Sequence, residues 1–227
     1  MQRRQERIRE QAWRLMHYDA VIRETAEVDL LAGVDEVGRG SLAGPLVAAA
    51  VIMPDRLLVT GIDDSKVLSP IQRAEAARRI TRVALSWSVV FVSPQQIDSH
   101  GIQAANMAAM RSAVLSLSLQ PELVLSDGYR IRDFEGTQRA IIKGDRVSQS
   151  IAAASCLAKT VRDRWMQYLG EELYPGFGWE RNAGYATKEH RLAVIALGPS
   201  DQHRHRFLSN SATAGCEDEN QLALPFF

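Results

Sequence analysis

Four acidic residues lie at or just after the ends of apolar runs that are typical of β-strands: Asp35, Glu36, Asp127 and Asp145. If those strands are neighbours in one sheet, their ends lie together and the four side chains converge. Clustered carboxylates raise one another's pKa unless a cation lies between them, and a set of oxygen donors suits Mg²⁺ or Mn²⁺. The pattern predicts a site for a pair of such ions and the hydrolysis of a phosphodiester bond.

A plainer interpretation applies to two of these residues, because Asp127-Gly128 and Gly144-Asp145 are also common turn dipeptides. Asp35 and Glu36 are harder to explain in that way. Consecutive residues of a strand point to opposite faces, so one of these two acids is predicted to point inward.

The remaining pattern predicts the elements that position these acids. An amphipathic helix is expected over residues 2 to about 25, and Ser69 followed by Pro70 predicts the start of a helix over 70–84. Strands are predicted at 30–34, 46–53, 87–92, 122–126 and 139–142, and further helices at 102–118, 148–169 and about 187–197. This order favours a three-layer α/β or α+β domain.

The composition excludes several classes of protein. Lysine plus arginine and aspartate plus glutamate number 27 each in 227 residues, so no bulk positive charge indicates a nucleic-acid partner. Cys156 and Cys216 match no zinc spacing, and no apolar run is long enough to span a membrane. A cytoplasmic protein, monomeric and with no membrane association, is the expectation.

The sequence resembles ribonuclease HII, the bacterial type 2 ribonuclease H, over about residues 30–207. The motifs that carry the resemblance are GVDEVGRGSLAGPLVAAAVI, DSKVLS, SDG at 126–128, KGD followed by SIAAASCLAKTVRDRWM, and GYATKEH. It implies an RNase H-like fold, with a central mixed sheet flanked by helices and a C-terminal helical subdomain. The expected divisions are an N-terminal helical extension (1–28), a catalytic domain (29–170), a helical substrate-binding subdomain (171–208) and a flexible tail (209–227).

The resemblance also implies an activity. The family hydrolyses the RNA strand of RNA–DNA hybrids and incises 5′ to ribonucleotides embedded in duplex DNA, which contributes to their removal from DNA. The expected reaction uses two metal ions and leaves 3′-OH and 5′-phosphate ends. By the same resemblance the four metal-binding carboxylates are Asp35, Glu36, Asp127 and Asp145, the residues already indicated by their positions.

Other residues are assigned to the nucleic acid. The resemblance implies that Gly38, Arg39 and Gly40 contact the 2′-hydroxyl and phosphate at the RNA-to-DNA junction, and that Tyr185 stacks on the deoxyribose that follows the ribonucleotide. Ser65 is expected to donate a hydrogen bond to a phosphate, and four cations are candidates to face phosphates: Lys66, Lys143, Lys159 and Arg162. The alternative is that these four side chains are solvated or form salt bridges within the protein. His190 and His203 are expected to be structural or close to the substrate rather than metal ligands.

The last seven residues, QLALPFF, fit the QLxLxF pattern of peptides that bind the bacterial sliding clamp, through Gln221, Leu222, Leu224 and Phe226. An extended apolar peptide on a polar linker can bind in a groove of a partner. The alternative is a tail that folds back over an apolar patch of the same chain.

Two other function classes stay open at this point. One is a related RNase H-fold nuclease with a different substrate, such as an exonuclease or junction resolvase. The other is a non-catalytic nucleic-acid binder tethered to the clamp. The non-catalytic binder would be expected to lack one of the four carboxylates, and all four are present in the sequence.

Overall fold

The computed structural model describes residues 2–62 and 68–208. These residues form two compact units. The first comprises the residues up to Val37 together with Val47–Val90 and Asn106–Thr160, and the second comprises Gly38–Leu46, Phe91–Ala105 and the residues from Val161 onward. The domain boundaries expected from the sequence stay a prediction.

One mixed sheet of five strands carries the apolar runs found in the sequence. The strands are β1 (Leu31–Val37), β2 (Leu46–Ile52), β3 (Ser86–Val92), β4 (Leu123–Asp127) and β5 (Gln138–Ile141), in the order β3-β2-β1-β4-β5. β1 pairs antiparallel with β2 and parallel with β4, which in turn pairs parallel with β5. The predicted mixed α/β architecture is therefore confirmed.

The helices follow the predicted order. They are α1 (Gln2–Ala26), α2 (Pro70–Val83), α3 (Pro94–His100), α4 (Ile102–Leu115), α5 (Gln149–Tyr168), α6 (Trp179–Asn182) and α7 (Lys188–Leu197), and α5 continues into a π-helical turn over Leu169–Leu173. Ser69 and Gln72 form a reciprocal capping box at the start of α2, which satisfies two amides of its first turn. α6 lies in a segment predicted to be loop. In the described part of the chain, no helix is both long and apolar enough to cross a membrane.

One face of the sheet in the first unit is covered by α1 and the start of α5. Leu31, Leu123, Leu125 and Ile151 form a buried cluster there, and Tyr18 and Ile22 of α1 pack against it. Gly33 of β1 allows α5 to approach closely, because a Cβ at that position would lie 2.1 Å from the Ser150 carbonyl carbon. α5 is thereby held directly against the strand that carries Asp35 and Glu36.

A buried carboxylate fixes α1 to α5. Asp19 Oδ2 accepts hydrogen bonds from the Ser150 backbone N–H at 2.8 Å and from the Ser150 hydroxyl at 2.7 Å. Burial raises the pKa of Asp19, and the hydrogen bonds from Ser148 and Ser150 oppose that change. The N-terminal helix is thus an integral part of the first unit.

Aromatic rings form the centre of the second unit. Trp179 is fully buried and stacks on Phe177 with ring centroids 5.0 Å apart, and Met166, Leu169 and Val194 belong to the same cluster. Because Trp179 begins α6 and Val194 lies on α7, this cluster joins the short helices that follow α5.

Candidate active site

The register of β1 and β4 brings two of the predicted acids together. Val34 pairs with Ser126 in the parallel ladder, so the next residues of the two strands, Asp35 and Asp127, are neighbours. Asp35 lies within β1 rather than beyond its end, and its backbone pairs with Ala49 of β2 on the other side. The two acids therefore project from a hydrogen-bonded sheet and not from mobile turns.

The turn after β5 is tied to the same place. The Gly144 backbone N–H donates to Asp127 Oδ1 at 2.7 Å, and the adjacent Asp145 is buried in the 3₁₀ turn Gly144–Arg146. Lys143, which precedes the turn, adopts a left-handed backbone conformation with φ of 56°. The bond to Gly144 fixes both the Asp127 carboxylate and the backbone that carries Asp145.

Asp35 is the electrostatic centre of this group. Burial raises the pKa of Asp35 well above its ordinary value, and the charges of Glu36 and then Asp127 raise it further. Hydrogen bonds from Ser155 and from the Glu36 backbone N–H, the latter at 2.8 Å from Oδ1, act in the opposite direction. Three carboxylates thus interact closely enough to disfavour their common ionisation.

The donor chemistry fits a hard divalent cation. Carboxylate oxygens that repel one another in a buried position are stabilised when such an ion lies between them. Within residues 2–62 and 68–208, no three His, Cys, Asp or Glu side chains are already arranged as an ion site. Asp35, Glu36 and Asp127 interact electrostatically all the same, and the residues that would hold the ion are these three together with Asp145.

Ser155 of α5 is a site residue that the sequence analysis missed. It is buried in the first unit and donates to the Asp35 carboxylate, so it orients that side chain. The residue lies in the run of small residues SIAAASC, which indicated only helix packing. The signal that could have identified Ser155 was its position in α5, six residues after Gln149. This helix packs against Gly33 of the strand that carries Asp35.

The glycines on either side of Arg39 differ in their surroundings. Gly38 has φ of +86°, and a Cβ there would lie 2.1 Å from Arg162 Nε, so only glycine fits. Gly40 is exposed, and a Cβ there would meet no atom within 4 Å. Between them, Arg39 donates to Gln103 Oε1 at 2.7 Å. Packing accounts for Gly38, whereas the space beside Gly40 is open to a ligand.

Two buried arginines hold the loop that contains these glycines. Arg162 donates to the carbonyls of Pro45 (2.8 Å), Ala43 (3.2 Å) and Ala183 (2.9 Å) and to the Ser41 hydroxyl (2.9 Å). Arg204 donates to the carbonyls of Gly44 (3.0 and 2.8 Å) and Arg39 (3.2 Å). Arg162 was expected to face phosphates, and the structure corrects this: its guanidinium is fully buried and its donors are used within the protein.

Tyr185 lies half-buried beside the same arginine. The Arg162 guanidinium carbon lies 5.4 Å from the centroid of the Tyr185 ring, and the Tyr185 carbonyl accepts from His190 Nδ1 at 2.9 Å. The ring is therefore held from one side by a cation and its backbone by a histidine.

His190 and His203 form a buried polar network in the second unit. The Trp179 indole N–H donates to His190 Nε2 at 2.9 Å, and His203 Nε2 lies 3.1 Å from the same atom. His203 Nδ1 accepts from the Ser200 backbone N–H at 2.9 Å. These partners assign both rings to neutral tautomers. Of the two expected roles, structural or close to the substrate, this burial favours the structural one.

Some predicted residues lie outside the described ranges. They are Ser65, Lys66, Gln221, Leu222, Leu224 and Phe226.

Comparison with known proteins identifies the family to which the chain is similar. The family model described as Ribonuclease HII matches residues 32–210. A ribonuclease HII of Pelotomaculum thermopropionicum is 50% identical over 176 residues, which are 77% of this chain and 66% of that protein. A ribonuclease HII of Caldicellulosiruptor saccharolyticus is 45% identical over 180 residues, 79% of this chain and 87% of that protein.

The fold has a close counterpart among solved structures. The ribonuclease HII of Archaeoglobus fulgidus, solved in complex with PCNA, is 31% identical with a TM-score of 0.67, over 78% of this chain and 94% of that one. The mixed sheet and this likeness thus define a protein with the RNase H-like fold. The chain belongs to the ribonuclease HII family and is a ribonuclease H endonuclease.

Proposed function

We propose that the protein hydrolyses the RNA strand of RNA–DNA hybrids and incises 5′ to single ribonucleotides in duplex DNA, leaving 3′-OH and 5′-phosphate ends. The observation that carries the proposal is the β1–β4 register, which makes Asp35 and Asp127 neighbours in a chain of this family. Ribonucleotide removal from DNA is the process that such an incision would begin.

In this proposal Asp35, Glu36, Asp127 and Asp145 hold two divalent cations, Mg²⁺ or Mn²⁺. When bound, the ions would supply a water nucleophile at neutral pH and offset the charge of the leaving oxygen. The residues of the chain fix the carboxylates: Ser155 orients Asp35, and the Gly144 N–H orients Asp127. Oriented oxygens are needed because Mg²⁺ tolerates little departure from octahedral geometry.

Selection of a ribonucleotide is assigned to Gly38, Arg39, Gly40 and Tyr185. The open space beside Gly40 supports a close approach of the sugar and phosphate, and the 2′-hydroxyl is the group that distinguishes RNA from DNA. Arg162 and Arg204 contribute indirectly, since they fix the carbonyls of the loop that presents Arg39.

The test is cleavage of a DNA duplex with one ribonucleotide, in the presence and absence of Mg²⁺ or Mn²⁺, with the cut site mapped. The expected product is one nick on the 5′ side of the ribonucleotide, formed only with metal. Equal cutting of an all-DNA duplex would favour a nuclease of the same fold with another substrate. Binding without any cleavage would favour the non-catalytic alternative.

The variant Asp35→Asn tests the metal role of the carboxylate. It preserves side-chain volume and removes charge, so turnover should fall by on the order of a thousandfold, equivalent to several kcal/mol of transition-state stabilisation. The free energy of unfolding should stay the same or rise, because a desolvated negative charge is lost. Asp133→Asn, at an exposed position, is the matched control and should leave turnover unchanged. Near-wild-type turnover of Asp35→Asn would exclude Asp35 as a ligand.

We further propose that the C-terminal peptide binds the bacterial sliding clamp. The support is the QLxLxF pattern of residues 221–226 together with the A. fulgidus ribonuclease HII, whose structure was solved in complex with PCNA. Docking of such a short peptide into a groove of the clamp would bring the nuclease to DNA.

A further inference from the structure

A large open cavity lies in the first unit between the N-terminal half of α1 and the start of α2. Its volume is about 1080 Å³, and its lining includes five arginines: Arg3, Arg7, Arg14, Arg79 and Arg146. Arg3, Arg7 and Arg14 are spaced by four and seven residues, which places them on one face of α1. The cavity is thus bordered by guanidinium groups from three separate segments of the chain.

The charge of this lining is unlike that of the chain as a whole. Among the described lining residues, five arginines are accompanied by only two acids, Glu10 and Glu75. The complete sequence, in contrast, has no net charge. A positive potential concentrated in a concave surface attracts anions more strongly than the same charges dispersed over the molecule.

These arginines differ from those that hold the fold together. Arg23 is buried and donates to the Met53 carbonyl at 2.8 Å, as Arg162 and Arg204 donate to carbonyls in the second unit. Arg7 and Arg79, in contrast, are exposed and line the cavity. An exposed guanidinium retains the planar pair of donors that matches two oxygens of a phosphate.

One residue of the cavity lining is adjacent in the chain to a proposed metal ligand. Arg146 immediately follows Asp145 in the same 3₁₀ turn, so the border of the cavity lies one residue from a proposed metal ligand. α1 lies outside the residues that match the family, which begin at residue 32. The helix thus adds to the first unit cations that lie outside the part of the chain matched by the family.

We propose that the arginines of α1 and α2, with Arg146, bind backbone phosphates of the nucleic-acid substrate beside the cleavage site. The proposal rests on the function proposed above. Because phosphate contacts position a duplex without reading its sequence, this surface would strengthen binding and set the register of the strand, and would leave the chemical step unchanged.

The experiment compares two double variants that remove the same charge from the same helices. Arg7→Gln with Arg79→Gln alters the cavity, whereas Arg9→Gln with Arg78→Gln alters exposed arginines of α1 and α2 that do not line it. Binding to an RNA–DNA hybrid is measured by fluorescence anisotropy in EDTA over a range of KCl concentrations. Urea unfolding of both variants checks that the fold is retained.

In the cavity variant, the plot of log K against log salt is expected to be less steep by roughly 2, since each neutralised phosphate contributes about 0.9 to the magnitude of the negative slope. Its affinity should fall about tenfold or more, with kcat at saturating substrate unchanged, and the control variant should keep the wild-type slope. Equal slopes for both variants, or an unchanged slope for the cavity variant, would overturn the proposal. Binding of inorganic triphosphate that is lost in the cavity variant, with hybrid binding intact, would overturn it in favour of a small anionic ligand.

Failure of this inference is distinguishable from failure of the proposed function. The slope is measured without metal and without cleavage, whereas the function is tested by the metal-dependent nick of the wild-type protein. A wild-type protein that cuts at the ribonucleotide while both variants retain its slope contradicts the phosphate surface alone.

Discussion

The two glycines beside Arg39 give opposite expectations for the same substitution. Gly38→Ala places a Cβ against Arg162 at a positive φ, so the free energy of unfolding should fall by at least about 1–2 kcal/mol. Gly40→Ala meets no atom, and its stability should lie within about 0.5 kcal/mol of the wild type. Urea unfolding measures both values.

Kinetics on the single-ribonucleotide duplex complete this comparison. Gly40→Ala should raise KM several-fold with little change in stability, because the methyl group occupies space proposed for the substrate. A Gly40→Ala enzyme with wild-type KM would remove Gly40 from the proposed contact. A Gly38→Ala protein as stable as the wild type would contradict the packing against Arg162.

The sequence predicted the positions of acidic residues better than those of basic residues. Asp35 and Asp127 could be predicted to lie together because strand ends and alternation are visible in the sequence. Arg162 was assigned to phosphates wrongly, because the sequence does not distinguish a buried arginine that donates to carbonyls from an exposed arginine that faces a phosphate. Only the fold shows that Arg162 donates to Ser41 and Ala43, which lie more than a hundred residues away in the chain.

Among the elements, α7 and the segment after it carry a pH-dependent stability. The pKa of His203 is lowered from 6.5 to about 3. Burial is the largest cause, followed by the charge of His190 and then that of His205, while a hydrogen bond with Ser200 and the charge of Asp201 act in the opposite direction. In the unfolded chain, His203 therefore binds a proton as the pH falls below about 6.5, whereas in the folded chain it stays neutral until the pH approaches 3. Stability is complete above that pH and falls as the pH drops toward 3.

The expected loss is about 1.4 kcal/mol per pH unit from this group below its unfolded pKa. His190, whose pKa is also lowered by burial, adds to it in the same direction. Urea unfolding between pH 6.5 and 5, above the range of ordinary carboxylates, measures the slope. His203→Gln should reduce that slope, whereas His100→Gln, at an exposed position of α3, should retain it. A slope for His203→Gln equal to that of the wild type would contradict the neutral histidine pair, because Asp19 and Asp35, whose pKa values are raised, act in the opposite direction in both proteins.

The elements also show where local signals were sufficient. Ser69-Pro70-Ile71-Gln72 predicted the start of α2, and the structure confirms it with a capping box. Ser93-Pro94-Gln95-Gln96 has the same signature and begins α3, yet no helix was predicted there. α3 spans only seven residues, too few for a helical repeat of apolar positions to be recognised.

For the whole molecule, the C-terminal peptide is expected to bind the clamp independently of the carboxylate site. Deletion of residues 221–227 should abolish retention on an immobilised sliding clamp and leave cleavage of the free duplex unchanged, because the carboxylates are untouched. Asn220→Ala, just before the motif, is the matched control and should be retained. Unchanged retention after the deletion would exclude the peptide as the clamp-binding segment.

The loop of Gly38 to Pro45 is shaped by side chains from distant parts of the chain. Arg162 reaches Pro45 across 117 positions, and Arg204 reaches Arg39 across 165. During synthesis from the N-terminus, the strand that carries Asp35 and Glu36 leaves the ribosome long before either arginine. The loop therefore acquires its final form only after Arg204 has been synthesised, so the function proposed for this loop matures later than the strand that carries the carboxylates.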